Sequence, residues 1–339
     1  MLAKKVGTMR KKILVTRHLY NPEFDSESRR RGLAKLAELA DLEDQPEELT
    51  ERDAEGVIAV IANDTAPFHD SFYEAASDLR VVARWGVGFD RVNVAGATRN
   101  GVLITITPVH MDAVAEYAIA QWMATLKRVY TLNRLSHDGD FKMIRTYEAQ
   151  GSTLGLYGLG RIGQEVARRA RPLLGEKGRL LVHDIRPDIK ELAARFDAEV
   201  VESPEVLFEE CDTVSLHVSG ADTLVDYELL CRMKPHASLL NPSRGNLVDD
   251  AAVHRAVDEN RLCYYVVDDP VNGPRAIHKG HPRIICTNHN SGLTVESVAR
   301  LDNKTFDQVT DASLGRRPDH ILNEEVLDHP RVQAWMSRS

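Results

Sequence analysis

Short runs rich in Val, Ile and Leu alternate along this chain with longer amphipathic stretches. The apolar runs fall at 12–17, 56–63, 80–83, 102–105, 153–158, 180–184, 213–218, 238–240, 264–268 and 283–287. Runs of this length read as strands buried on both faces, and helical spacing between them predicts βαβ units with parallel sheets. Asp25 and Ser26 can cap a helix over 29–42, in which Arg29, Arg30 and Arg31 read as a solvated face without a role. Residues 112–128 are apolar at Val114, Ala115, Ala118, Ile119, Trp122 and Leu126. They predict a long helix linking one α/β series to the next. Residues 136–151 are polar and turn-rich and read as a loop, and helical spacing returns after Arg300 before a polar tail over 317–339.

A chain of 339 residues exceeds one ordinary core, so two domains are expected. Its 43 basic and 51 acidic residues give a net charge of −8 without long blocks of one sign. That balance argues against nucleic acid and anionic membrane as partners, and it means that an anionic substrate needs local positive groups. Cys211, Cys231, Cys263 and Cys286 have neither CxxC spacing nor the density of a disulfide scaffold, as expected in a reducing cytosol. The run Ile13-Leu14-Val15 is too short for a signal-peptide core, and no stretch approaches a membrane span. A cytoplasmic location is expected.

The chemistry starts at Thr153, where a strand runs into Gly158-Leu-Gly160-Arg161-Ile162-Gly163 and then into a helix over 164–173. In that context Gly158 allows a tight turn, Gly160 lets a pyrophosphate approach the backbone, and Gly163 permits close helix–strand packing. The helix start, at Arg161 and Ile162, offers amides to the anion. The next strand ends at Asp184, about twenty residues past the glycines, where a carboxylate meets ribose hydroxyls and repels a 2′-phosphate. NAD is therefore favoured as cofactor, with Arg186 keeping NADP open. His278, His281, Cys286 and His289 straddle a predicted strand and match no common zinc spacing, so no metal is expected. No activating partner is evident for Cys263 or Cys286 as a nucleophile.

From about Lys12 to Arg300 the chain resembles the D-isomer-specific 2-hydroxyacid dehydrogenases. The resemblance is carried by Arg84-Trp-Gly-Val-Gly-Phe-Asp90 with Val92-Asn93, Thr107-Pro108 leading to Asp112, the glycine loop, Leu216-His217, Met233-Lys234, Asn241-Pro-Ser-Arg244-Gly245, Asp268, and Thr287-Asn-His289. It implies two doubly wound parallel-sheet domains, with a Rossmann NAD-binding domain at 109–298 inserted into a flavodoxin-like substrate domain made of 1–108 and 299–339. It also implies a homodimer that interconverts a small 2-hydroxy acid and its 2-keto acid. By the same resemblance Arg244 and His289 are catalytic, and Val87 and Gly88 offer amides to the substrate carboxylate. His217, Asn241 and Asp268 border the cofactor, and Asp268 faces the nicotinamide. The residue chemistry agrees: a guanidinium holds a carboxylate or polarises a carbonyl, and an imidazole exchanges a proton near neutral pH. Arg84 fits either a second anionic substrate group or an ordinary ion pair.

Two departures stand out. The family's glutamate, five residues past the strand-end aspartate and before a proline, corresponds here to Gly273 before Pro274. Either Asp269, Asn272 or Glu296 reaches the imidazole from a shifted loop, or His289 works undirected, or the chain binds NAD(H) in a regulatory or scaffolding role without this catalysis. Val109 and Met111 also replace the family's smaller residues after Thr107-Pro108, which leaves the substrate open.

Overall fold

A computed structural model describes residues 10–63, 67–89, 91–220 and 222–336; Asp90 of the resemblance lies outside the described residues. The chain forms two compact units, one of Met1–His110 with Thr294–Ser339 and one of Met111–Leu293.

The first unit holds strands β1 (Lys12–Val15), β2 (Asp41–Asp44), β3 (Val57–Ala62), β4 (Val81–Arg84) and β5 (Leu103–Thr105), all parallel, in the order β2-β1-β3-β4-β5. This is the flavodoxin-like order. Central β3 is buried at every position, so its Val-Ile-Ala run needs no polar alternation. Edge strand β2 has the sequence Asp-Leu-Glu-Asp and escaped the hydrophobic pattern, because an edge tolerates charge.

Arg29 overturns its expected solvated setting. The helix Glu27–Leu39 is capped by Ser26, whose hydroxyl accepts Arg29 N, and it turns Arg29 inward to 1% exposure. Its guanidinium grips Asp302 with two bonds of 2.8 and 2.9 Å, while Trp85 Nε1 donates to the same carboxylate at 2.8 Å. A buried Arg is tolerable only with such a partner.

The second unit holds β6 (Thr153–Tyr157), β7 (Arg179–His183), β8 (Glu199–Val200), β9 (Thr213–Leu216), β10 (Ser238–Asn241), β11 (Tyr264–Val267) and β12 (Ile284–Cys286). They form one parallel sheet in the order β12-β11-β10-β9-β6-β7-β8, the Rossmann order extended by one strand. The long predicted helix is Met111–Leu126, and it packs Ala115, Ala118, Trp122 and Leu126 into the core under β6. A second helix, Val129–His137, follows a break at Arg128, whose φ of 51° is left-handed, so the irregular segment begins later than 136. Among the described residues no helix is long and apolar enough to cross a membrane.

Candidate active site

Parallel strands present all their carboxyl ends on one edge, and ligands of such sheets bind there, at the point where strand order reverses. Every site residue expected in the second unit lies at or after a strand end. In sheet order the edge reads His289 after β12, Asp268 after β11, Asn241 and Arg244 at and after β10, His217 after β9, Gly158 after β6 and Asp184 after β7. The reversal lies between β6 and β9, where Gly158 meets His217.

The three glycines do three different things. Gly158 has a φ of +101°, and a side-chain carbon there would sit 2.6 Å from the His217 carbonyl oxygen. At Gly163 such a carbon would overlap the Gly158 carbonyl oxygen, so the helix Arg161–Leu174 packs directly on the turn. A carbon at Gly160 meets nothing within 4 Å. Gly160 thus leaves an open approach beside first-turn amides, those of Arg161, Ile162 and Gly163, that lack intrahelical acceptors. Asp184 Oδ2 accepts Leu159 N at 2.7 Å and Oδ1 accepts Arg186 N at 3.0 Å, which ties the second strand end to the loop. The Arg186 guanidinium is paired in two-pronged fashion with Asp188 at 2.9 and 2.7 Å.

Next to this loop both ring nitrogens of His217 are buried without a hydrogen-bond partner among the described residues. Burial pushes its pKa down to about 3, so the ring is neutral, with one donor and one acceptor to offer. An orphaned polar ring beside an open amide cradle fits a dinucleotide.

On the other side, Asn241 is 1% exposed. Its Oδ1 accepts Ser243 N and Arg244 N, both at 3.2 Å, and its Nδ2 donates to Arg244 O at 2.8 Å and Tyr265 Oη at 3.3 Å. Those four bonds use the side-chain amide's capacity, so the side chain holds the Arg244 backbone. Arg244 itself is half-buried, and its Nη1 donates to Ser243 O at 2.9 Å.

Asp268, 2% exposed, accepts Thr287 Oγ1 at 2.6 Å, Asn290 N at 2.8 Å and Ser291 N at 2.7 Å. Burial alone would raise its pKa, but the donors from Ser291, Thr287 and Asn290 outweigh it and the net shift is downward. Thr287 Oγ1 also bonds Tyr117 Oη at 2.7 Å. The segment between these anchors carries His289, exposed and at a φ of 56°. Tyr117 and Ser291 were not singled out from the sequence, and Thr287 entered only as part of the Thr287-Asn-His289 motif, without a role of its own.

Among the described residues none hydrogen-bonds the His289 ring. A carbon at Gly273 meets nothing within 4 Å, at a φ of +50°. Asp269 is engaged by Gly245 N and Arg275, and Asn272 is exposed. Glu296 lies in the first unit.

Arg84, Val87 and Gly88 belong to the first unit as well. Arg84 is 4% exposed, with Nε donating to Gly88 O at 2.6 Å and Nη1 to Ala62 O at 2.8 Å, the geometry of a loop brace. Val87 and Gly88 are half-buried.

Among the described residues no group of three or more His, Cys, Asp or Glu is placed to hold a metal. His278 is taken by Asp250 at 2.9 Å and His281 by Asp258 at 3.1 Å. All four cysteines are free, and burial pushes the Cys286 thiol up to about 11 and raises that of Cys263, the reverse of the shift that activates a cysteine.

Residues 119–291 match the family described as D-isomer specific 2-hydroxyacid dehydrogenase, NAD binding domain. A glyoxylate reductase of Korarchaeum cryptofilum is 31% identical over 345 residues, covering 94% of this chain and 98% of that protein. Among solved structures, the TT0316 protein from Thermus thermophilus is 27% identical with a TM-score of 0.75, covering 92% of this chain and 99% of that one. A glyoxylate reductase from Paecilomyes thermophila shares the fold with a TM-score of 0.78 at 23% identity, over 93% and 99% of the two chains.

Proposed function

This chain belongs to the D-isomer-specific 2-hydroxyacid dehydrogenase family, and from that premise we propose that it interconverts a small D-2-hydroxy acid and its 2-keto acid with NAD(H). The observation that carries the proposal is the order of residues along one sheet edge. Asp184 marks the ribose end, the Gly158–Gly163 loop the pyrophosphate, and His217, Asp268, Arg244 and His289 the end where the acid reacts.

When bound, the nicotinamide cofactor supplies or takes the hydride. Arg244, held by Asn241, grips the carboxylate or polarises the carbonyl of the acid. His289 gives the proton to the carbonyl oxygen in reduction and takes it back in oxidation. Asp268 keeps the His289 segment in its left-handed turn. In this reading the first unit is the substrate domain, with the Val87 and Gly88 amides binding the carboxylate and Arg84 bracing their loop. Glyoxylate is the first substrate to test, after the relatives' names. The chain is read as a cytoplasmic homodimer.

A second reading has a specific observation behind it. Gly273 supplies no carboxylate and no described residue bonds the His289 ring, as suits an NAD(H)-binding regulator or scaffold with little turnover. Purified protein given NADH and a panel of 2-keto acids separates the two. Turnover that disappears in both Arg244→Ala and His289→Ala supports the enzyme, and NADH binding without turnover on any acid supports the regulator.

A further inference from the structure

Arg244 lies between two peptide groups, and both are pinned. On one side its own N–H is accepted by Asn241 Oδ1 at 3.2 Å. On the other its carbonyl accepts Asn241 Nδ2 at 2.8 Å and Leu247 N at 3.2 Å. The N–H of that same second peptide, on Gly245, donates to Asp269 Oδ2 at 3.2 Å. Asp269 therefore completes the fixing of the Arg244 backbone from a different strand end, since it follows β11 where Arg244 follows β10.

Asp269 is itself held. Its Oδ2 also receives Arg275 Nη2 at 3.0 Å, with side-chain exposures of 13% for Arg275 and 21% for Asp269. Arg275 Nε reaches Pro270 O at 3.4 Å, which folds the chain back over 270–275. Its Nη1 faces a second carboxylate, Asp250, at 3.7 Å, and Asp250 is held by the fully buried His278 at 2.9 Å. His278 Nδ1 in turn lies 3.1 Å from His254 Nδ1. The guanidinium presses on Gly245 so closely that a side-chain carbon there would overlap Arg275 Nη1 and sit 2.6 Å from Asp269 Oδ2. Gly245 is thus the residue that lets an Arg–Asp pair reach the backbone next to Arg244.

We propose that Asp269 and Arg275 are positioning residues for Arg244: the pair fixes the 244–245 peptide and so aims the guanidinium that takes the acid. This rests on the function proposed above. A partly buried ion pair such as this, with side chains 13% and 21% exposed, adds little net stability as a rule, so fixing one geometry is the role its contacts favour. A misplacement of about 1 Å in a substrate-holding group lowers rates by up to about a hundredfold. The pair also occupies the loop in which the family's glutamate would stand, so a carboxylate in that loop serves Arg244 and not His289.

The test compares wild type, Asp269→Ala, Asp269→Asn and Arg275→Lys for glyoxylate reduction and for NADH binding by fluorescence titration. A single oxygen of Asp269 receives both donors, so an Asn oxygen can reproduce them, whereas Ala cannot. The expected result is a kcat/KM for glyoxylate at least about tenfold lower in Asp269→Ala, mainly through KM, and within about threefold of wild type in Asp269→Asn. The NADH Kd stays within about twofold in both variants, because the cofactor's phosphate cradle is elsewhere. Should Asp269→Ala not fold, Arg275→Lys decides, with a several-fold loss of kcat/KM at unchanged NADH Kd expected. An unchanged kcat/KM in both Asp269→Ala and Arg275→Lys overturns the proposal, as does an NADH Kd that weakens in parallel. Absence of turnover by wild type on every acid overturns the functional reading, and this proposal with it. Wild-type turnover with insensitive variants overturns the positioning role alone.

Discussion

Gly158 and His217 meet where the strand order reverses: a side-chain carbon on Gly158 would lie 2.6 Å from the His217 carbonyl oxygen, while one on Gly160 would touch nothing within 4 Å. The two glycines therefore differ in purpose. Gly158→Ala should destabilise the protein by about 2–3 kcal/mol through its φ of +101° and the overlap with backbone. Gly160→Ala should leave the thermal midpoint nearly unchanged and still weaken NADH at least about tenfold, since the new methyl stands in the anion's approach. Thermal denaturation and calorimetric titration of the two variants check this; equal loss of stability would remove the assigned difference.

The neutral, buried His217 ring makes stability depend on pH. Its folded pKa, pushed down to about 3, lies below the unfolded value of about 6.5, so between these values the unfolded chain binds the extra proton. Stability contributed by this residue is complete above about pH 6.5 and is lost progressively as pH falls toward 3. Urea denaturation of His217→Asn should show a flatter dependence between about pH 6.5 and 4 than wild type. An identical slope would mean the ring is not held neutral.

Asp268 carries the opposite arrangement for a carboxylate, with a depressed pKa, so its contribution is present above about pH 4 and is lost as pH falls through the folded value. Asn290 N donates to Oδ1 and Ser291 N to Oδ2, so Asp268→Asn keeps one acceptor and sets an NH2 against the other amide. The His289 segment then relaxes from its left-handed turn, and kcat should fall by at least about tenfold, the scale of losing an aligned proton donor. Steady-state kinetics on glyoxylate, with NADH affinity measured alongside, checks it; a kcat equal to wild type would detach Asp268 from His289.

Much of this was legible in the sequence because it rests on local geometry. A Gly-x-Gly-x-x-Gly between strand and helix declares itself, as does an acid closing the next strand. Two strands were missed for a physical reason: β2 reads Asp-Leu-Glu-Asp and β8 is the pair Glu199–Val200, and edge strands need little apolar surface. Arg29 was misread because its partner Asp302 is 273 residues away. Helical rotation sends one member of an Arg triplet inward, and nothing local names which. Asn241 was placed by motif, and the motif did not disclose that its side chain makes four hydrogen bonds to 243–244 and Tyr265. The Asp269–Arg275 pair was invisible because loop curvature, and not spacing, brings it to Gly245.

The buried triad of the first unit gives a separate expectation. Asp302 serves both Arg29 and Trp85, so Asp302→Ala leaves a buried guanidinium without its counter-charge and should cost about 3–5 kcal/mol. Chemical denaturation measures it. A loss below about 1 kcal/mol, the range of an exposed pair, would contradict the burial assigned to Arg29.

Gly273 offers a gain-of-function arm. Gly273→Glu places a carboxylate where the family has one, at a cost of about 1–3 kcal/mol for a side chain at a φ of +50°. A carboxylate beside an imidazole favours its protonated form, so the pH–rate profile for reduction should extend to higher pH. An unmoved profile would show that position 273 does not face His289.

The most direct measurement follows the hydride itself. Wild-type protein is incubated with NADH deuterated at the transferable position and with glyoxylate, and the organic product is analysed by mass spectrometry. The account predicts glycolate carrying one deuterium, formed by wild type and lost in both Arg244→Ala and His289→Ala. Deuterated NADH that binds but leaves no label in the product of any 2-keto acid offered, or labelled product from both variants at the wild-type rate, would contradict it.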